Sequence, residues 1–266
     1  MISWLPVFLA LGALAGFCAG LLGIGGGGIL VPLLTMIFVA QGLPYEHIVH
    51  LALGTSMAII TFTSISSLRA HHAHGAVLWP VVRAIAPGVV LGTLLGAQLA
   101  GHLRTSQLAI FFCVFMSYVA LQMVLNVRPK PSRALPGTAG MFGVGAGIGG
   151  FSALVAIGGG SLSVPFMTWC NVKVHHAIGT SAAIGFPIAA AGAAGYVISG
   201  WGTTGLPVGS VGFVYLPALA ATAVASVVTA PYGASLTHRL PVAALKKIFA
   251  ALLFILALNM LRTLFF

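Results

Sequence analysis

Two stretches of this chain leave the backbone bare where side chains would normally pack. "IGGGGILVP" runs from Ile24 to Pro32, and "IGGGSLSVP" runs from Ile157 to Pro165. Glycine disfavours a helix interior by about 1 kcal/mol per residue, so each run ends one helix and precedes another. The chemistry on offer is that of the backbone. The first N–H groups of a helix have no partner within it, and the aligned peptide dipoles place about half a positive charge there. Without side chains in the way, an anion can reach those amides. Gly25, Gly26, Gly27 and Gly28 are candidate anion ligands, as are Gly158, Gly159, Gly160 and Ser161. The second run ends in Ser161 where the first has Gly28, so the two ends are chemically unequal.

A second pair of motifs follows the first. Gly54-Thr55-Ser56 and Gly179-Thr180-Ser181 both read "GTS". Hydroxyls bind an oxyanion without a permanent charge, which adds Thr55, Ser56, Thr180 and Ser181 to the candidates. The competing reading is back-bonding to their own helix carbonyls. His50 and His175 each stand one helical turn before a GTS. They are candidate gates or proton relays, or else polar helix starts at the membrane interface. His71, His72 and His74 fall in an expected cytoplasmic loop facing solvent or headgroups; no metal site is assigned.

The elements that must hold these residues are apolar. Of the 266 residues 59% are hydrophobic and 5% charged, against roughly 25% charged in a soluble domain. Apolar segments fall at 4–22, 29–40, 48–67, 77–100 and 107–126, then at 138–156, 162–171, 176–199, 213–230 and 242–264. Runs of about 20 apolar residues are the signature of membrane-spanning helices. The fold class expected is an all-α integral membrane protein. The first segment is read as a membrane span, since it lacks the positive n-region of a signal peptide. Cys18, Cys113 and Cys170 lie far apart within or at the end of apolar runs and read as packing residues.

The glycine run, the GTS and a later proline (Pro87, Pro217) recur in the same order in both halves. Three units follow: residues 1–126 as a first transmembrane repeat, 127–136 as a linker, and 137–266 as a second repeat. Five segments per half is an odd number, so the repeats are inverted. With the N-terminus outside, Arg69, Arg83, Arg128, Lys130, Arg133, Lys173, Arg239, Lys246 and Lys247 lie at the cytoplasmic side. Only Arg104 and Arg262 fall outside, with Glu46. The positive-inside rule selects this orientation, with the linker cytoplasmic and both termini outside. The net charge of +10 is therefore membrane topology, not a nucleic-acid footprint.

The segments after the glycine runs are 12 and 10 residues long, about 18 and 15 Å, against a hydrocarbon core of about 30 Å. They read as broken half-helices. The depth of the runs stays open, because Gly145, Gly147, Gly149 and Gly150 are candidates for a kink in the sixth segment. The scattered Gly12, Gly16, Gly92 and Gly96 read as close-packing positions between helices.

These motifs resemble the sulfite exporter TauE/SafE family, also called the 4-toluene sulfonate uptake permease family. The likeness rests on the two glycine runs, each followed by a GTS helix, and covers nearly the whole chain. It implies a multi-pass transporter of the cytoplasmic membrane for sulfite, a sulfonate or a related sulfur-containing anion, without a cofactor. The charge pattern agrees: a cation pathway normally uses carboxylates, and Glu46 is the one carboxylate side chain. Export of sulfite or an organosulfonate is the leading expectation. Import of another sulfur-containing anion or a small carboxylate is the alternative, and a membrane-embedded metalloenzyme is a remote one. The partners expected are the anion and the lipid bilayer; a homodimer is compatible with the sequence. A leucine at Gly27 or Gly160 is expected to remove transport while leaving membrane insertion intact.

Overall fold

The structure is a computed structural model that describes residues 4–22, 26–125, 132–237 and 242–265. It is nearly all helix. In chain order the helices are α1 (Leu5–Leu22), α2 (Gly27–Ala40), α3 (Ile48–Ala73), α4 (Trp79–His102) and α5 (Thr105–Leu125). Then come α6 (Thr138–Val155), α7 (Gly160–Trp169), α8 (Val174–Ser199), α9 (Leu216–Thr237) and α10 (Val242–Phe265). A short 3-10 turn, Tyr45–His47, precedes α3, and a two-stranded hairpin, β1 (Ser210–Val211) with β2 (Val214–Tyr215), precedes α9. Among the described residues, seven helical segments are long and apolar enough to cross a bilayer.

Two interfaces dominate, α1 with α9 and α4 with α6. Both are built on missing side chains. A Cβ at Gly12 or Gly16 would collide with the backbone of Thr222 or Ser226, and one at Gly88 or Gly92 with that of Phe142 or Ala146. Membrane helices associate through such close backbone approach, because lipid gives no hydrophobic drive between them. The contacts advance together along both partners, so α1 runs parallel to α9 and α4 parallel to α6. Gly145 and Gly149 seat α6, one helix from Thr138 to Val155, against Ile85, Val89 and Thr93 of α4.

At the centre α3 lies along α8. Gly54, near the start of α3, touches Tyr196 near the end of α8, while Gly179 at the start of α8 touches Ala76 just beyond α3. The pair is antiparallel. Met57, Ile59, Ile60, Ile184 and Ile188 are fully enclosed there. Exposed apolar side chains, among them Leu95, Val114 and Ile248, give the bundle a lipid-compatible outer surface. The histidine loop is helical at its start, against expectation. His71 and His72 form the last turn of α3 and His74 is its C-cap. Gly75, at φ 64°, then closes a Schellman motif in which Ala76 N–H donates to His71 and Gly75 N–H to His72.

Candidate functional site

Helices α2 and α7 are started and stopped by the same devices. Gly26 (φ 68°) precedes α2 and Gly159 (φ 81°) precedes α7, both left-handed, a region glycine enters without the Cβ penalty. At the far ends Gly42 and Asn171 are also left-handed. Leu43 N–H donates back to Phe38 and Val172 N–H back to Met167, both at 3.0 Å. The helices hold 14 and 10 residues, about 21 and 15 Å. Neither alone crosses a core of about 30 Å. Each also carries a proline at its sixth position, Pro32 or Pro165. Proline lacks the N–H that would bond the carbonyl four residues back, here that of Gly28 or Ser161.

The glycine-run segments are brought together across the halves. Gly27 lies against the carbonyl of Ala156, the left-handed cap that ends α6 and leads into the second run. The Gly158 carbonyl rests against Gly185 of α8, and Gly159 faces the Ile188 side chain. Gly28 points elsewhere, toward Met116 of α5 and Leu253 of α10. This arrangement revises the expectation for Gly27→Leu: its missing side chain is occupied by backbone, so a leucine there would part the two helix ends. Gly25 lies outside the described residues.

The start of α7 is the more polar of the two. Its first bonded amide is that of Leu162, to Gly159 O at 3.1 Å, so the amides of Gly160 and Ser161 meet no acceptor among the described residues. Ser161 Oγ is buried and also lacks a partner. The hydroxyls of Ser163 and Ser181 lie 2.7 Å apart, and Ser163 also reaches Gly159 O at 2.8 Å. In the first half Leu30 replaces Ser163 by the motif match, and Ser56 Oγ is buried without a partner. Sequence reading missed Ser163. It also missed Ser152, a fully buried serine one turn before the end of α6 whose hydroxyl is unpartnered. Arg69, Arg83, Arg104, Arg133, Lys173, Lys247 and Arg262 all sit at exposed positions.

The GTS threonines hold backbone. Thr180 Oγ1 accepts Leu78 N–H at 2.9 Å, and Thr55 Oγ1 accepts Tyr215 N–H at 3.0 Å. Neither donates to its own helix, which was the competing expectation. The two histidines are unequal. His50 is buried, with Nε2 3.1 and 3.0 Å from the carbonyls of Ala100 and Leu103. Both neighbours are acceptors, so Nε2 carries the hydrogen, and the ring closes the end of α4. His175 is exposed at the start of α8, its ring 4.7 Å from that of His176. Replacing both His50 and His175 with glutamine is therefore expected to leave the pH dependence of flux in proteoliposomes unchanged. Thermal unfolding of His50→Ala should reveal about 1–3 kcal/mol of lost stability from the stranded carbonyls. A flat pH profile in the double variant would restore the relay.

The described chain thus pairs two short glycine-started helices inside a bundle of long apolar ones. The family model for the sulfite exporter TauE/SafE family matches residues 8–260. The chain belongs to this family. A "Probable membrane transporter protein" of Haemophilus influenzae is 37% identical over 262 residues, covering 98% of this chain and 99% of that protein. "Probable membrane transporter protein YdhB" of Bacillus subtilis is 26% identical, covering 88% of this chain and 91% of its own. A similarly named protein of Methanocaldococcus jannaschii, MJ0441, is 24% identical, covering 97% and 95%. No solved structure matches the chain. This TauE/SafE protein is a multi-pass membrane transporter.

Proposed function

We propose that the protein exports sulfite or an organosulfonate across the cytoplasmic membrane, holding the anion at the glycine-run helix starts, chiefly that of α7. The observation that carries this reading is the start of α7: amides without acceptors among the described residues, beside a buried and unpartnered Ser161 hydroxyl, with Arg69, Arg83, Arg104, Arg133, Lys173, Lys247 and Arg262 all exposed. Such a site offers partial positive charge and hydrogen-bond donors without burying a permanent charge, which is costly in low dielectric. Helix lengths support a midplane position. The C-terminal end of α7 is tied to the linker, where Trp169 O accepts from Ser132 N–H and Arg133 N–H. About 15 Å of helix then reaches the middle of a core about 30 Å thick. Irregular backbone is tolerated at that depth only when buried in protein or lining a cavity.

The division into inverted repeats, 1–126 and 137–266 about the 127–136 linker, belongs to the same proposal. It is supported by the antiparallel course of the matching helices α3 and α8, and by the α1–α9 and α4–α6 interfaces, which exchange when the halves are swapped. Other transporters place their sites between such repeats. One negative charge leaving an inside-negative cell gains about 2.3 kcal/mol per 100 mV, so the potential alone favours export.

Two experiments test this. In proteoliposomes given sulfite, sulfate, thiosulfate, a sulfonate and acetate, voltage-driven flux of sulfite or the sulfonate is expected; flux of acetate alone would replace the reading with carboxylate transport. For orientation, a single cysteine replacing the exposed Ala134 should react with an impermeant maleimide only from the cytoplasmic side. Labelling on intact cells would invert the topology.

A further inference from the structure

The two segments that lead into α4 and α9 are fastened in one and the same way, and the fastening crosses between the halves. Ala76 N–H donates to His71 O on its own helix α3 at 3.1 Å, and two residues later Leu78 N–H donates to Thr180 of α8 at 2.9 Å. In the other half Phe213 N–H donates to Tyr196 O on its own helix α8 at 3.1 Å, and two residues later Tyr215 N–H donates to Thr55 of α3 at 3.0 Å. The neighbouring glycines make room. A Cβ on Gly179 would stand 2.6 Å from Ala76 O, and one on Gly54 would strike Phe213 O. Both threonines are completely buried. Each segment thus has an anchor in its own half and a buried threonine hydroxyl in the other; the segment before α4 is held across the halves once more, where His176 Nδ1 lies 3.3 Å from Ala76 O.

The antiparallel course of α3 and α8 sets these fastenings at opposite ends of the central pair. Thr55 lies beside the Tyr196 end of α8, and 16 residues separate Thr180 from Tyr196, about 24 Å of helix. If α3 parts from α8 at one end of the pair, the own-half anchor there is carried along, and the threonine bond at that end, with the His176 contact in the case of Thr180, is what must separate. We propose that Thr55 and Thr180 are paired gate latches, one for each mouth of the pathway, released in alternation; the structure shows both closed. The proposal rests on the transport reading above. It assigns to the GTS motif a conformational role in place of an anion ligand. It also accounts for the repetition of the motif: a carrier with alternating access needs a barrier on each side, and a repeated sequence supplies the same device twice.

Valine has the shape of threonine without the acceptor oxygen, so Thr180→Val and Thr55→Val each cut one latch. The probes are Val77→Cys and Val214→Cys, two buried positions in the fastened segments, in a chain whose Cys18, Cys113 and Cys170 are replaced by alanine. Labelling by an impermeant maleimide is read in right-side-out and inside-out vesicles. Thr180→Val should speed labelling at Val77→Cys roughly tenfold, the scale of one lost hydrogen bond, without speeding that at Val214→Cys. Thr55→Val should do the reverse, and Thr→Ser, which keeps the oxygen, should label like the parent. Should Thr180→Val give no monodisperse protein, Leu78→Pro removes the same bond from the donor side and is held to the same result. Equal acceleration at both probes, or none at either, overturns the latches. Labelling needs no substrate, so the test stands even if sulfite flux is absent. Conversely, flux with probes that fail to respond overturns the latches and leaves the transport reading intact.

Discussion

Leucine at Gly27 is expected to abolish the folded protein. Helix α2 begins there with its bare Cα against the Ala156 carbonyl, and Ile60 Cδ1 would lie 3.1 Å from a Cβ. The obstructing atom is backbone, fixed by the end of α6, where Ala156 N–H is bonded to Ser152 O. It cannot swing aside as a side chain does. Overpacking in a well-packed core costs about 1–3 kcal/mol even when neighbours can shift, and here whole helices must separate. That is a large share of the roughly 5–15 kcal/mol that holds a domain together. Detergent-purified Gly27→Leu should elute as aggregate in size-exclusion chromatography, or fail to accumulate. Gly28→Ala is the contrast. Its Cβ would meet the ends of Met116 and Leu253, flexible side chains that can rearrange, so this variant should elute as the parent does. A monodisperse Gly27→Leu would show that the two helix ends do not meet as described.

That pair of neighbours illustrates what the sequence could and could not disclose. The doubled runs announced helix starts, and the structure begins α2 and α7 at Gly27 and Gly160. Their stop signals, Gly42 and Asn171, were equally local and could have been read from residue type alone. The span pattern was legible because each long segment carries its own hydropathy. The scattered Gly12, Gly16 and Gly92 were legible as packing residues for a similar reason, since small residues at helical spacing have one dominant use in lipid. What faces a given glycine is a tertiary fact. Nothing near Gly27 in the chain points to Ala156, and nothing near Thr55 points to Tyr215. The GTS hydroxyls were read as anion ligands or self-bonded groups because both are local options; a partner on the opposite half has no local trace. His50 and His175 match by motif, yet one closes the end of α4 and the other is exposed. Repeat equivalence carried backbone geometry well and side-chain surroundings poorly.

The largest functional effect is expected at the start of α7. If the anion is held by the amides of Gly160 and Ser161 together with Ser161 Oγ, removing the hydroxyl deletes one hydrogen bond to a charged group. Such a bond contributes about 1.5–3 kcal/mol, so Ser161→Ala should weaken binding roughly ten- to a hundredfold. The loss of a buried and unpartnered hydroxyl leaves no stranded partner in the protein, so its stability should hold. Gly160→Leu should go further by covering the amides themselves. The first half supplies the internal comparison: Gly28, its counterpart to Ser161, has no side chain to contribute and faces Met116 and Leu253, so Gly28→Ala should leave affinity near that of the parent. The direct measurement is equilibrium binding of sulfite to purified, monodisperse protein by titration calorimetry. The account predicts saturable binding to the parent chain, weakened roughly tenfold or more in Ser161→Ala and lost in Gly160→Leu. Binding of sulfite to both variants with the parent's affinity would contradict it.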